Sequence, residues 1–185
     1  INFLFSKIMK FVCIILLYIF VLISCNTRRQ ALKKILKEWT NREIIFPNLE
    51  TKYMGKDTIL PNMLNHEFKI LHYIDTIGCT NCHLQLFDWK LYMKELKSSS
   101  IDIALIFVVF TKNYEEFEII QRNNHFFYPV IYDYNGLLNK KNQFPTYPYP
   151  LHTFLLDRNN KVLAIGNPIN NESIRNIFDK IIKRE

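Results

Sequence analysis

A Cys-x-x-Cys sequence lies where a strand-like run gives way to a helix-like run, and this arrangement constrains the fold more than any other feature. Cys79 and Cys82 follow the strand-like run Lys69 to Asp75 and precede a helix-like run from about Asn81 to Lys97. A pair of cysteines in a turn between a strand and a helix is the context in which this spacing is redox-active. The sequence therefore predicts a dithiol that can close to a disulfide.

The first 25 residues have the pattern of a bacterial lipoprotein leader. Met9 and Lys10 provide a charged start, so the true start is expected at Met9, and the charge-free run Phe11 to Ser24 follows. This run is short of the roughly 20 apolar residues that a bilayer-spanning helix needs. The sequence Leu-Ile-Ser-Cys that ends at Cys25 resembles a lipobox, so residues 1–25 are predicted to be a signal peptide with Cys25 as the lipidation site.

An uncleaved anchor or an ordinary signal peptide remains as the alternative for this leader, and either one implies export. Export places the domain in an oxidising compartment, where disulfides persist. The chain has four cysteines, of which Cys13 and Cys25 belong to the leader. Cys79 and Cys82 are therefore expected to be the thiols of the mature domain, which would face the periplasm or lie on the membrane surface of the cell envelope.

The remaining residues are enough for one domain with its own core. We predict a tether, an amphipathic helix and an N-terminal extension over 26–65, and one domain over 66–185. The net charge of the whole chain is +7 and is spread over separated basic pairs, so no nucleic-acid partner is expected. With only four glycines, the chain has no glycine-rich phosphate cradle.

Periodicity predicts alternating strands and helices after the extension. Leu32, Ile35, Leu36 and Trp39 have helical spacing, and short strand-like pieces such as Glu43 to Phe46 follow. The later elements are predicted as strands over 69–75, 101–110 and 127–132, a helix over 114–122 capped by Asn113, a hairpin of 153–157 and 161–165, and a last helix opened by Asn171 or Ser173.

The helix after the cysteines carries two apolar stripes, which predicts burial on two sides. One stripe is Leu84, Phe87 and Leu91, and the other is Leu86, Trp89, Met93 and Leu96. Such a helix is expected to lie between the sheet and a neighbouring element. Alternating strands and helices that end in a hairpin and a helix indicate a mixed α/β sandwich of three layers.

From Glu67 to Lys183 this succession resembles the thioredoxin fold, specifically the exported, membrane-tethered thioredoxin-like proteins of the TlpA/ResA kind. The resemblance implies a three-layer α/β/α sandwich with a mixed sheet, here with an N-terminal extension. It implies a membrane-anchored thiol:disulfide oxidoreductase that works without a cofactor on protein thiols or disulfides or on a redox partner protein.

Cys79 is the expected nucleophile, because the positive end of a helix lowers the pKa of a thiol there, and Cys82 is the resolving cysteine. The sequence departs from the thioredoxin pattern at two positions that bear on this chemistry. His152 occupies the position of the proline that contacts the disulfide in thioredoxins, and Tyr73 occupies the position of a buried acid. His152 is accordingly a candidate proton donor or disulfide-contact residue.

Other chemistries remain open for the same residues. Cys79, Cys82 and His152 could hold copper as in the Sco-like proteins, which share this fold. The sequence Cys-x-x-Cys-His ending at His83 also matches the attachment site of c-type haem. Thr76 and Cys79 match half of a peroxiredoxin signature, and the cysteines could also be purely structural in an interaction domain.

Overall fold

The computed structural model describes residues 27–58, 63–75, 84–146 and 151–184. The chain divides into two compact units, Ile1–Glu38 and Trp39–Glu185. Residues 27–39 form helix α1, as the spacing of its apolar residues predicts, and its last residue, Trp39, is buried in the second unit. No helix in these four described stretches has both the length and the apolar composition needed to cross a membrane.

Seven strands form one mixed sheet in the order β2-β1-β5-β4-β3-β6-β7. Parallel pairing joins β3 to β4 and β4 to β5, and the other neighbours pair antiparallel. The strands are β1 Glu50–Tyr53, β2 Lys56–Asp57, β3 Phe68–Asp75, β4 Ile103–Phe110, β5 Val130–Tyr132, β6 Thr153–Leu156 and β7 Val162–Ile165.

Helices cover both faces of this sheet and make three layers. They are α2 Leu86–Ser98, α3 Tyr114–Asn123, α4 Leu137–Asn142 and α5 Glu172–Lys183. One face of the sheet packs against α2, α3 and α5 in a single apolar core. The opposite face packs against Trp39 and Phe144, whose rings contact each other and Phe154 of β6. Because β3 and β4 are covered on both faces, both are buried except at their last residues, and β4 is a continuous apolar run.

Side-chain caps fix where several helices begin. The side chain of Asn113 accepts a hydrogen bond from the backbone N–H of Glu116 at 3.1 Å, and Asn171 accepts one from Ile174 at 3.2 Å. These contacts satisfy donors that have no partner within the helix. Both caps confirm the sequence prediction for α3 and α5. The predicted hairpin is confirmed as well, since β6 and β7 pair antiparallel.

The segment before β5 differs from the prediction, because the strand begins at Val130 and not at Phe127. The carbonyl oxygens of Phe126 and Tyr128 both accept hydrogen bonds from the side-chain amide of Gln121, each at 3.2 Å. The backbone there is therefore paired with a side chain of α3 and not with the neighbouring strand.

The prediction that α2 is buried on two sides is wrong. Leu86, Trp89 and Met93 are buried, but Phe87 and Leu91 are 51% and 49% exposed. The reason is that α2 contacts the sheet with one face and no element covers the opposite face among the described residues. The predicted start of this helix near Asn81 lies outside the described residues.

Both edges of the sheet are short or covered. At one edge β2 has two residues, and the side chain of Lys52 in β1 forms an ion pair with Asp57 in β2. At the other edge, residues 41–44 run beside residues 160–162, at the start of β7. There the backbone N–H of Asn41 donates to Val162 at 2.8 Å and that of Val162 donates to Arg42 at 2.9 Å. The strand-like piece at Glu43 forms only an isolated bridge to Lys161.

Candidate functional site

The candidate site lies where parallel strands end. The carboxyl ends of β3, β4 and β5 meet at one edge of the sheet, which is where open α/β sheets bind ligands. The segment 76–83, with Thr76, Cys79, Cys82 and His83, connects β3 to α2 and lies outside the described residues, as does Cys25. The structure describes the two ends of this segment, Asp75 and the buried Leu84.

His152 lies beside the last residues of β3. The backbone N–H of Tyr73 donates to the carbonyl oxygen of His152 at 2.9 Å. The imidazole ring meets the ring of Tyr73 edge-on, with 5.5 Å between centroids, and lies 6.0 Å from the ring of Phe144. His152 is therefore fixed next to the strand that leads into the Cys79 segment.

The imidazole of His152 has a free hydrogen-bonding atom. Its Nε2 is buried and has no hydrogen-bond partner among the described residues. Burial lowers the pKa of His152, and the nearby carboxylate of Asp75 opposes that shift. Because the lowered pKa favours the neutral imidazole near pH 7, one ring nitrogen is available there as a proton acceptor.

Several other buried polar atoms near the same edge also lack partners. They are the Tyr73 hydroxyl, Asp75 Oδ1, Gln85 Oε1 and Trp89 Nε1. An unpaired buried polar atom typically costs about 1–3 kcal/mol, so a group of them marks a place where structure is not optimised for stability alone. Gln85 also has a left-handed backbone, with φ of 47°, immediately before α2.

The hydroxyl of Tyr73 cannot perform the proton transfer of the buried acid that thioredoxins have at this position. Burial raises the pKa of the Tyr73 hydroxyl, and the carboxylates of Asp133 and Asp75 raise it further. The hydroxyl therefore stays protonated at neutral pH and cannot accept a proton as a carboxylate would. Of Tyr73 and His152, His152 is therefore the residue that can accept a proton near neutral pH.

A second histidine, His72, supports this region from the opposite face of β3. Its Nδ1 is hydrogen-bonded to the hydroxyl of Thr153 at 2.8 Å, and its ring lies 4.9 Å from Trp89 and 5.1 Å from Phe107. Burial lowers the pKa of His72 to about 3, with a smaller contribution from His152.

The sequence places His72 inside the predicted strand over 69–75 and assigns it no role. A histidine among the apolar residues of a strand is the available indication of a buried polar contact, and its neutral ring joins β3 to β6 next to His152.

A metal site is not formed by the described residues alone. Within the described stretches, no three histidine, cysteine, aspartate or glutamate side chains lie close enough to hold an ion. Of the copper ligand set expected from the sequence, His152 is described, whereas Cys79 and Cys82 lie in the segment that the structure does not describe.

No protein-family model matches the chain, and no curated protein sequence matches it at a significant level. Similarity is found among solved structures. The thioredoxin domain of a thiol-disulfide oxidoreductase from Bacteroides vulgatus is 12% identical over 77% of this chain and 97% of that domain, with a TM-score of 0.57.

Two further solved structures agree with this match. A thiol:disulfide interchange protein from a Bacteroides species is 12% identical over 76% of this chain and 90% of its own, with a TM-score of 0.54. An uncharacterised conserved protein from Geobacillus kaustophilus is 14% identical over 79% and 83%, with a TM-score of 0.58. Sequence identities this low support an inference about the fold alone. The strand order, the three layers and these matches together identify the fold of the chain as thioredoxin-like.

Proposed function

We propose that the protein is a membrane-anchored thiol:disulfide oxidoreductase of the TlpA/ResA kind, in which Cys79 and Cys82 cycle between dithiol and disulfide without a bound cofactor. The observation that carries the proposal is the position of the Cys-x-x-Cys segment between the carboxyl end of β3 and the start of α2 in a thioredoxin-like fold. The names of two of the similar structures, an oxidoreductase and an interchange protein, support the same activity.

The exchange proceeds in two balanced steps. In reduction, the thiolate of Cys79 attacks one sulfur of a client disulfide, so a mixed disulfide forms and the other client sulfur leaves as a thiolate that takes up a proton. The thiolate of Cys82 then attacks the sulfur of Cys79 and releases the second client thiol. The client gains two electrons and two protons, and Cys79 and Cys82 become a disulfide. Oxidation of a client is the same sequence reversed.

His152 is proposed to handle a proton in this cycle. Its unpartnered Nε2 can take the proton from a thiol that must become a thiolate, because the lowered pKa keeps the ring neutral near pH 7. The partly buried Asp75 stabilises the imidazolium that results. Replacing His152 with Gln should therefore slow the resolving step most at neutral pH; an unchanged pH profile of that step would exclude the role.

The location is proposed from the leader. Export followed by lipidation of Cys25 would tether the domain to the cell envelope, where α1 follows within a few residues. The basic residues of α1, including Lys33 and Lys34, would lie near an anionic lipid surface. In this position the dithiol meets the thiols and disulfides of other exported proteins.

Mixed-disulfide trapping tests the assignment of the two cysteines. In the Cys82→Ser variant, Cys79 can attack but the product cannot be resolved, so mixed disulfides with clients should accumulate on non-reducing gels. The matched Cys79→Ser variant should trap few, and the double variant none. Equal trapping by the two single variants would contradict the assignment of Cys79 as the nucleophile, and absence of any exchange with a model disulfide would contradict the activity.

A further inference from the structure

Helix α2 presents an exposed apolar stripe close in sequence to the dithiol. Phe87 and Leu91 are 51% and 49% exposed, and they lie one above the other because residues four apart share a helix face. Phe87 is five residues from Cys82 along the chain. The face therefore belongs to the helix that carries the proposed chemistry at its start.

The segment that follows α3 lies beside α2. The ammonium of Lys90 lies 4.6 Å from the centre of the Phe87 ring and donates to the carbonyl oxygen of Asn124 at 3.2 Å. Lys97 of α2 similarly lies 5.0 Å from the ring of Tyr128. Phe127, between Asn124 and Tyr128 in the sequence, is 56% exposed. We define the α2 patch as Phe87, Leu91 and Phe127 together with Lys90, Lys94 and Lys97.

The charge of the α2 patch is positive. No ion pair involves its three lysines within the part of the chain that the structure describes. Two acids of α2 flank the stripe by the same spacing, since Asp88 is three residues before Leu91 and Glu95 is four residues after it. Glu95 is paired with Arg175 of α5. The three lysines outnumber the two acids, so the net charge around the exposed apolar side chains stays positive.

Such a surface fits one kind of partner. Exposed aromatic and aliphatic side chains on a soluble domain are characteristic of interaction sites, and a matching charge speeds the encounter and fixes its orientation. A segment that combines acidic and apolar side chains would cover the stripe and pair with the lysines. The position of the patch on the helix that follows Cys82 in the sequence favours a protein over a lipid surface, because a dithiol facing lipid would be less accessible to client sulfurs.

We propose that the α2 patch binds the client or redox partner of the protein, and that this partner presents acidic and apolar side chains beside its reactive cysteines. The inference rests on the proposed oxidoreductase activity and adds the class of substrate. It assigns substrate selection to α2, whereas the chemistry belongs to the cysteine segment and His152.

Two disulfide peptides test the substrate class. They share one loop closed by a disulfide, and the flanks carry Glu and Leu in one peptide and Lys and Leu in the other. The reduced full chain should reduce the acidic peptide with a kcat/KM about tenfold higher at low ionic strength, as expected for steered association, and salt should diminish this preference. Phe87→Ser should raise KM for the acidic peptide and leave its kcat unchanged.

Charge reversal locates the preference on the protein. The double variant Lys90→Glu/Lys94→Glu should favour the basic peptide, whereas Lys140→Glu/Lys141→Glu, an equal change of charge on exposed residues of α4, should keep the original order. Equal kcat/KM for both peptides, or the same preference in both double variants, would overturn the inference while the activity stands. The patch would instead be assigned to lipid if both peptides were reduced at equal rates and the parent bound anionic vesicles. In that case the Lys90→Glu/Lys94→Glu variant would lose vesicle binding and the Lys140→Glu/Lys141→Glu variant would keep it. No reduction of either peptide would overturn the activity and the inference together.

Discussion

Acid should destabilise the protein through His72, because this ring is held neutral in the folded state. The pKa of His72 is about 3 in the folded chain against 6.5 for an ordinary histidine, and burial is the main cause. A group whose folded pKa is depressed binds its proton in the unfolded state first. The contribution of His72 to stability is therefore complete above about pH 6.5 and is lost as the pH falls towards 3.

The size of this loss follows from the two pKa values of His72. Each pH unit between them shifts the free energy of unfolding by about 1.4 kcal/mol. The expected loss from this residue is about 2 kcal/mol between pH 7 and pH 5, and about 4 kcal/mol by pH 3. A domain with a total stability of about 5–15 kcal/mol would lose a large part of it over this range.

Urea unfolding of the reduced protein at pH 7 and pH 5 measures the effect. The variant His72→Asn removes the titrating ring and keeps a polar atom that can reach the hydroxyl of Thr153. It should be less stable than the parent at pH 7 but should lose about 2 kcal/mol less between the two pH values. His125→Asn, at an exposed position, is the control and should lose as much free energy of unfolding between pH 7 and pH 5 as the parent. An equally large loss in His72→Asn would refute the reasoning.

Two other predictions concern a buried lysine and the leader. Lys69 is fully buried, and its ammonium donates to the carbonyl oxygens of Leu64 at 2.9 Å and Arg158 at 2.7 Å, so Lys69→Met should cost about 1–3 kcal/mol in urea unfolding. Burial also lowers the pKa of Lys69, so the parent should gain stability relative to this variant as the pH rises towards 10; a stable variant with the parental pH slope would contradict both statements. Cys25→Ala should release the protein from membranes in cell fractionation, and mass spectrometry that finds residues 1–24 still attached to the native protein would contradict lipidation.

Elements whose determinants are local could be predicted from the sequence. The caps at Asn113 and Asn171 lie within three residues of the donors that they satisfy, and the hairpin follows from alternation around a turn. By contrast, β1 acquires its place in the sheet from β5, about 80 residues away, which no short window contains. The sequence prediction there extended only to short strand-like pieces.

The candidate site, like the fold, could be predicted from the sequence only in part. The position of His152 beside β3 followed from its place before the hairpin, since the register of β6 against β3 brings it there. The ring contacts of His152 with Phe144 and Tyr73 could not be predicted, because these two residues come from separate parts of the chain. The exposure of Phe87 could not be predicted either. Helical spacing gives the stripes of a helix but not which stripe another element will cover.

The edges of the sheet bear on how the protein could meet extended polypeptides. An exposed edge strand invites any extended polypeptide to add to the sheet. Here the outermost strand on one side has two residues, both charged, and on the other side residues 41 and 42 take up the backbone N–H and C=O of Val162 at the start of β7. Under the proposed activity, a client is therefore expected to be held mainly by its side chains and its sulfur, which lets it leave once the exchange is complete.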